Sequence, residues 1–173
     1  MPENIIISYG ENMSQYLPLK KSIPNITFRK GLDFSIPTNT CLVIDDQMSS
    51  AVTSSEVADL FTKKIHHNNV SVILIQQNIF PQGKFGRDIR LNAQYFTIFK
   101  SPTFMSQAMH LERSLFPHNP RFLTEAYNDA TKEPYSYLFL SLHPRVDDRL
   151  RVRAGILPFE DNIVFSPTRK WPL

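Results

Sequence analysis

Cysteine is almost missing from this 173-residue chain, where Cys41 stands alone. One thiol excludes an internal disulfide framework and a cysteine-based zinc cluster, and it suits a reducing compartment. Glycine is also scarce, with five residues against thirteen prolines, so the chain is punctuated mainly by proline. No apolar run nears the ~20 residues that a bilayer demands, and the start carries no signal-peptide core. A soluble, intracellular chain is expected. Hydrophobic residues at 42% and charged residues at 20% exclude wholesale disorder.

What is present suits one α/β domain spanning residues 1–173, long enough to bury a core. The formal charge of +3 conceals an asymmetry. Residues 1–60 carry four Lys/Arg against seven Asp/Glu, whereas residues 61–173 carry fifteen against nine. The basic surplus of the second part is compatible with a polyanionic partner or with a solvated basic face.

Ile5-Ile6-Ile7-Ser8-Tyr9 and Cys41-Leu42-Val43-Ile44 are short apolar runs of the kind buried on both faces of a sheet. The stretch through Pro18, Pro24 and Pro37 between them is expected to lack regular structure. Thr53-Ser54-Ser55-Glu56 reads as a capping box, opening a helix with Val57, Leu60, Phe61 and Ile65 on one face and ending near His66. Val70–Ile75 and Tyr95–Phe99 predict two further strands. Ser101-Pro102 and Asn119-Pro120 predict helix starts with proline at the first position. The first of these helices would carry the stripe Met105, Ala108, Met109, Leu115 and Phe116. The second would carry Leu123, Ala126, Tyr127 and Ala130. Tyr137–Leu142 and Leu150–Ile156 predict a closing hairpin through Pro144 and Asp147-Asp148. Strands alternating with amphipathic helices imply a mostly parallel sheet flanked by helices, whose ligands sit beyond the strands' carboxyl ends.

Two polar clusters follow apolar strands directly. Asp45-Asp46 could hold magnesium through one carboxylate and waters, while the second carboxylate orients or deprotonates an attacking water. The alternative is a pair of turn acids or a helix cap. Gln76-Gln77-Asn78 could hydrogen-bond a nucleophilic water and a phosphate together, or could simply cap the strand end. A metal-dependent hydrolase using Asp45 and Asp46 with a histidine is a third reading. His66-His67 are adjacent and chelate poorly from a helix; His110, His118 and His143 are isolated. No G-x-S-x-G elbow is present, and Cys41 begins a buried strand. None of the five glycines fits a G-x-x-x-x-G-K-[ST] phosphate loop. Gly83-Lys84-Phe85-Gly86-Arg87 has the wrong spacing and reads as a flexible loop in which Arg87 could sense charge.

Taken in order, Cys41-Leu-Val-Ile-Asp-Asp46, His66-His-Asn-Asn69 leading into Val70-Ser-Val-Ile-Leu-Ile-Gln-Gln-Asn78, Arg87-Asp-Ile-Arg-Leu-Asn92 and Tyr95-Phe-Thr-Ile-Phe-Lys100 resemble the FtsK/HerA-type P-loop ATPases. Within these the likeness is to DNA-packaging ATPases of large DNA viruses and virus-like mobile elements. Tyr127-Asn-Asp-Ala-Thr131 through Tyr137-Leu-Phe-Leu140 adds to it, and the resemblance runs from Ile5 to Phe159. It implies Asp45 as the Walker B magnesium carboxylate and Asp46 as the water-activating acid. It implies Gln77 or Asn78 as the sensor amide, and Arg87 as an arginine acting on a neighbouring subunit's nucleotide. Magnesium and ATP are the implied cofactors. Double-stranded DNA, a homo-oligomeric ring or an intact paralogue are the implied partners, with no membrane association. The implied location is cytoplasm or nucleus, or the virion.

The chain departs from that family at its start. The family's Walker A strand, loop and helix precede the segment matching Ile5–Tyr9, and here only Met1–Asn4 precede it. The fold expected is an incomplete RecA-like (ASCE) P-loop core, from Walker B onward, with a C-terminal β-hairpin and two exposed sheet edges. On this reading the chain is a truncated or degenerate ATPase that binds magnesium-nucleotide poorly. The runner-up is a non-catalytic DNA-binding or assembly partner of an intact ATPase.

Overall fold

The structure is a computed structural model that describes residues 2–11, 14–64 and 69–167. Two compact units divide the chain, residues 1–92 and 93–173.

In the first unit, β1 (Asn4–Tyr9), β2 (Ile26–Lys30), β3 (Thr40–Asp45) and β4 (Ser71–Leu74) form a wholly parallel sheet in the order β2-β1-β3-β4. The register sets Ile6 beside Leu42, Ser8 beside Ile44, and Ile44 beside Leu74. Alternate residues share a face, so Ile6, Leu42, Ile44, Val72 and Leu74 all point one way. They pack on Ala51 of α2 (Met48–Ala51), on Val57 and Ala58 of α3 (Ser55–Asp59), on Leu60, and on Ile89 of α4 (Gly86–Asn92). Ile44, Ala51 and Val57 are wholly buried. The other face carries Ile5, Ile7, Val43 and Ile75. Leu19 and Ile23, in and just after α1 (Leu17–Ser22), cover it only partly, leaving an apolar groove of about 590 Å³. No strand pairs with the far side of β4 among the described residues, and Ile73 and Ile75 beside it are about half exposed.

The stretch expected to be irregular contains α1 and β2. Pro18 falls in the first turn of α1, where a missing N–H breaks no helical bond. Asn25 turns the chain into β2 with a φ of 59°, a conformation asparagine tolerates. The cap of α3 is Ser54, one residue later than the Thr53 box predicts: its hydroxyl accepts from the Val57 amide at 3.2 Å and donates to Glu56 at 2.8 Å. The π-helical turn Leu60–Lys64 follows α3, and the expected end near His66 lies outside the described residues.

In the second unit, β5 (Tyr95–Phe99), β6 (Tyr137–Ser141), β7 (Val152–Ala154) and β8 (Ile163–Phe165) form an antiparallel sheet in sequence order. The expected mostly parallel sheet is therefore four strands only, and Tyr95–Phe99 belongs elsewhere. Its pattern explains why: Ile98 is buried while Tyr95 and Phe99 are exposed, and such alternation suits an antiparallel strand covered on one face. Against β6 and β7 packs α6 (Phe122–Ala130), with α5 (Phe104–Leu115) packed on α6. Leu138, Leu140 and Val152 are buried together with Phe104, Ala108, Leu111, Leu123, Ala126 and Tyr127 of the two helices. The predicted α6 face is the observed one. The predicted α5 stripe is rotated, since Met105 and Met109 are exposed and Phe104 and Leu111 are buried.

Neither proline pair supplies the cap. Thr103 and Arg121 precede the two helices without side-chain cap bonds, and Arg121 takes a φ of 73°. Instead Glu112, buried in α5, accepts from the Leu123 amide at 2.7 Å and satisfies the start of α6 from another helix. After β6, a single 3₁₀ turn at Asp148–Leu150 precedes β7, and β8, which the sequence pattern did not predict, extends the sheet past Phe159.

Candidate functional site

The carboxyl ends of β3 and β4 open on a cleft of about 490 Å³, lined by Asp45 through Ser50 and by Ile75, Gln76 and Gln77. Parallel pairing of β3 with β4, with Ile44 opposite Leu74, brings the two tips side by side. The Ile75 amide donates to the Ile44 carbonyl at 2.9 Å and carries the pairing to the lip.

Each acid is held by its surroundings. Asp45, the last residue of β3, accepts a hydrogen bond from the Tyr16 hydroxyl at 2.6 Å. Tyr16 is itself buried and rests on Tyr9 and Phe28 at ring distances of 5.8 and 5.9 Å. Asp46 leaves the strand with a φ of 53°, left-handed backbone that aspartate enters more readily than most residues. Gly10 makes room for it. A Cβ on Gly10 would lie 2.5 Å from the Asp46 carbonyl oxygen and 3.1 Å from its carboxylate. Gln47 then turns inward, donating to the Ser8 hydroxyl at 2.7 Å, and Ser8 donates to the Gly31 carbonyl at 2.7 Å. This buried relay ties the residue after the acids to the end of β1.

Of the residues the sequence singled out, Asp45, Asp46 and Gln77 meet in the cleft. Asn78 does not line it: its side-chain oxygen accepts from the Phe80 amide at 2.8 Å and closes a local turn. Arg87 lies exposed in the first turn of α4 and is also absent from the lining. Tyr16, Gly10 and Gln47 went unnoticed in the sequence, whereas Gln76, named there as the first of the three amides, does line the cleft. The Gly10 contact had a signal, since register between β1 and β3 sets Tyr9 beside Asp45 and so brings the next residues together. Tyr16 had none, lying twenty-nine positions from its partner.

Chemically the cleft offers oxygen. Two carboxylates, the Ser49 and Ser50 residues and three glutamines border it, and the amide oxygen of Gln76 is buried with no hydrogen-bond partner among the described residues. Magnesium binds through one or two carboxylates and several waters, so Asp45 and Asp46 fit it. A triphosphate is a poorer fit because no lysine or arginine among the described residues lines the cleft. No group of three or more His, Cys, Asp or Glu is placed to hold a metal among the described residues. His66 and His67 lie outside them. His143 is engaged locally, its Nδ1 accepting from the Arg145 amide at 3.1 Å. Burial pushes the Cys41 thiol pKa up, away from nucleophilic thiolate. No described helix is long and apolar enough to cross a membrane. No family model, curated protein or solved structure matches this chain.

Proposed function

We propose that the chain supplies the Walker B carboxylates and sensor amide of a DNA-packaging ATPase site of the FtsK/HerA type, in truncated or degenerate form. One observation carries the reading: Asp45, Asp46 and Gln77 border a single cleft at neighbouring parallel strand ends. Asp45, steadied by Tyr16, would hold magnesium largely through water, and bound magnesium would neutralise phosphate charge. Asp46 would take the proton of an attacking water, and Gln77 would orient that water. Gln77 is the better sensor of the two amides because Asn78 is spent on its own turn. The unpaired Gln76 oxygen suits a donor such as a metal-bound water.

On this reading the phosphate-binding lysine and glycine loop come from outside these 173 residues, in a longer product or a partner chain. The free side of β4 supports that, being open to a further strand. The absence of cations around the cleft among the described residues favours a second reading, a non-catalytic relative that assembles with an intact ATPase or binds double-stranded DNA. A metal-dependent hydrolase using a histidine gains no support from the described residues, among which no histidine borders the cleft.

Manganese, a paramagnetic stand-in for magnesium, tests the carrying observation. Added manganese should broaden the NMR signals of Asp45, Asp46 and Gln77 selectively, and Asp45→Asn should abolish the broadening. Broadening centred elsewhere, or none, would overturn the reading. A fluorescent ATP analogue with magnesium should bind the chain alone only weakly, and micromolar affinity would contradict the need for an external phosphate loop.

A further inference from the structure

One face of the antiparallel sheet carries aromatic rings beside uncommitted cations, with Tyr137 and Phe139 buried and Tyr95 and Phe99 open on the edge strand. Register sets Tyr95 opposite Ser141, Thr97 opposite Phe139 and Phe99 opposite Tyr137, so Tyr95, Phe99, Tyr137 and Phe139 project from one face. Tyr95 lies nearly parallel to Phe139 at 5.7 Å and to His143 at 6.4 Å. Phe99 leans on Tyr137 at 5.8 Å. Although β5 is the sheet's edge strand, Tyr95 is 51% and Phe99 57% exposed. Two large rings left this open on one strand, ~13 Å apart at strand spacing, lose apolar burial that the fold could have used.

Charge beside the rings points to the occupant. Between His143 and Arg153 the chain holds four arginines and two aspartates. Asp147 and Asp148 are already engaged by Arg149 and Arg151 at 2.8 and 2.7 Å. Arg145 and Arg153 remain without an ion pair among the described residues. Arg153 sits opposite Phe139 in register with its guanidinium 5.3 Å from that ring, and its buried Nε–H has no acceptor among the described residues. Flat apolar rings with the Arg153 guanidinium against them, and Arg145 two residues after the ring-stacked His143, suit a ligand that alternates flat bases with phosphates. A duplex hides its base faces, whereas a single strand presents them.

We infer that this face binds single-stranded nucleic acid, with bases stacking on Tyr95 and Phe99 and phosphates meeting Arg145 and Arg153. The inference stands apart from the strand-tip cleft and does not depend on its chemistry.

Fluorescence anisotropy of the full chain with a labelled oligo-thymidylate tests it. A strand of about 20 nucleotides exceeds the ~4–16 that one single-strand-binding fold covers. Binding should saturate and should weaken as salt rises. Tyr95→Ala and Phe99→Ala should each weaken it roughly five- to hundredfold, the loss that follows removal of a stacking ring. Phe99→Trp should keep the affinity, and its indole emission should be quenched by the oligonucleotide, which reports stacking even if an alanine variant folds poorly. Arg153→Gln should flatten the salt dependence. Failure of the unaltered chain to bind at low salt would overturn the inference. So would indifference to the ring substitutions, tighter binding of a duplex of equal length, or capture of a proline-rich peptide in its place.

Discussion

Four strands of residues 4–74 run the same way, and four strands of residues 95–165 alternate in direction. Their polar residues are deployed differently as a result. In the parallel unit all carboxyl ends gather at one edge, so Asp45, Asp46 and Gln77 converge beyond the strands although thirty-odd positions separate them. In the antiparallel unit neighbouring ends point opposite ways and nothing comparable gathers. There the side chains with unused capacity, Tyr95, Phe99 and Arg153, stand on a strand face. Strand direction decides whether a sheet offers a crevice or a platform.

Core truncation probes that contrast most severely. Leu138 is wholly buried at the centre of the antiparallel unit, and Leu138→Ala should destabilise it by about 2–5 kcal/mol. Hydrogen exchange should show lost protection in Tyr95–Phe99 and Val152–Ala154. Equal loss in Asn4–Tyr9 and Thr40–Asp45 would break the comparison, because the two sheets would then open together.

A smaller change sharpens the description of the crevice. In Gly10→Ala the new methyl would meet the Asp46 carbonyl oxygen at 2.5 Å, which backbone must relieve by moving. A cost of about 1–3 kcal/mol in thermal denaturation is expected, with weakened manganese broadening at Asp46. An unchanged melting temperature would show that Gly10 and Asp46 are not in contact.

The smallest effect belongs to the turn before β7. Side-chain and backbone hydrogen bonds from Arg149 hold the Asp147 carboxyl at a pKa of about 2, below its ordinary 3.8. A depressed carboxyl contributes stability above its unfolded value and loses it as pH falls through the folded one. Asp147→Asn should therefore lower stability slightly at neutral pH and match the unaltered chain near pH 2, the gap closing between about pH 4 and 2 in a series of denaturant titrations. A gap that persists at pH 2 would assign the turn's stability to something other than this carboxylate.

Local pattern made the parallel unit's centre legible. Cys41–Ile44 is apolar without interruption and Val70–Ile75 is broken only by Ser71, and so short an apolar run needs little else to be recognised as a strand, although β4 proves half exposed on one face. The polar residues after them could then be located at strand ends. What pattern could not decide was which amide faces the cleft, because Asn78 is turned away by a bond to Phe80 that depends on the exact turn. Nor could it assign Tyr95–Phe99 to a sheet, since a five-residue strand does not encode its neighbours. Pro102 and Pro120 misled about the helix starts because α6 is capped by Glu112, eleven positions before its partner Leu123 and on a different helix. Asp45 was visible and its companion Tyr16 was not, for the same reason: long-range partners leave no local period.

Among the described residues β4 has a hydrogen-bonded neighbour on one side only. Its outer amides and carbonyls, with half-exposed Ile73 and Ile75 beside them, are a half-written line that any compatible strand can finish. Such an edge is a template on which a second copy could pair. A charged residue introduced at Ser71 or Ile73 would be the gentlest way to keep the two copies apart.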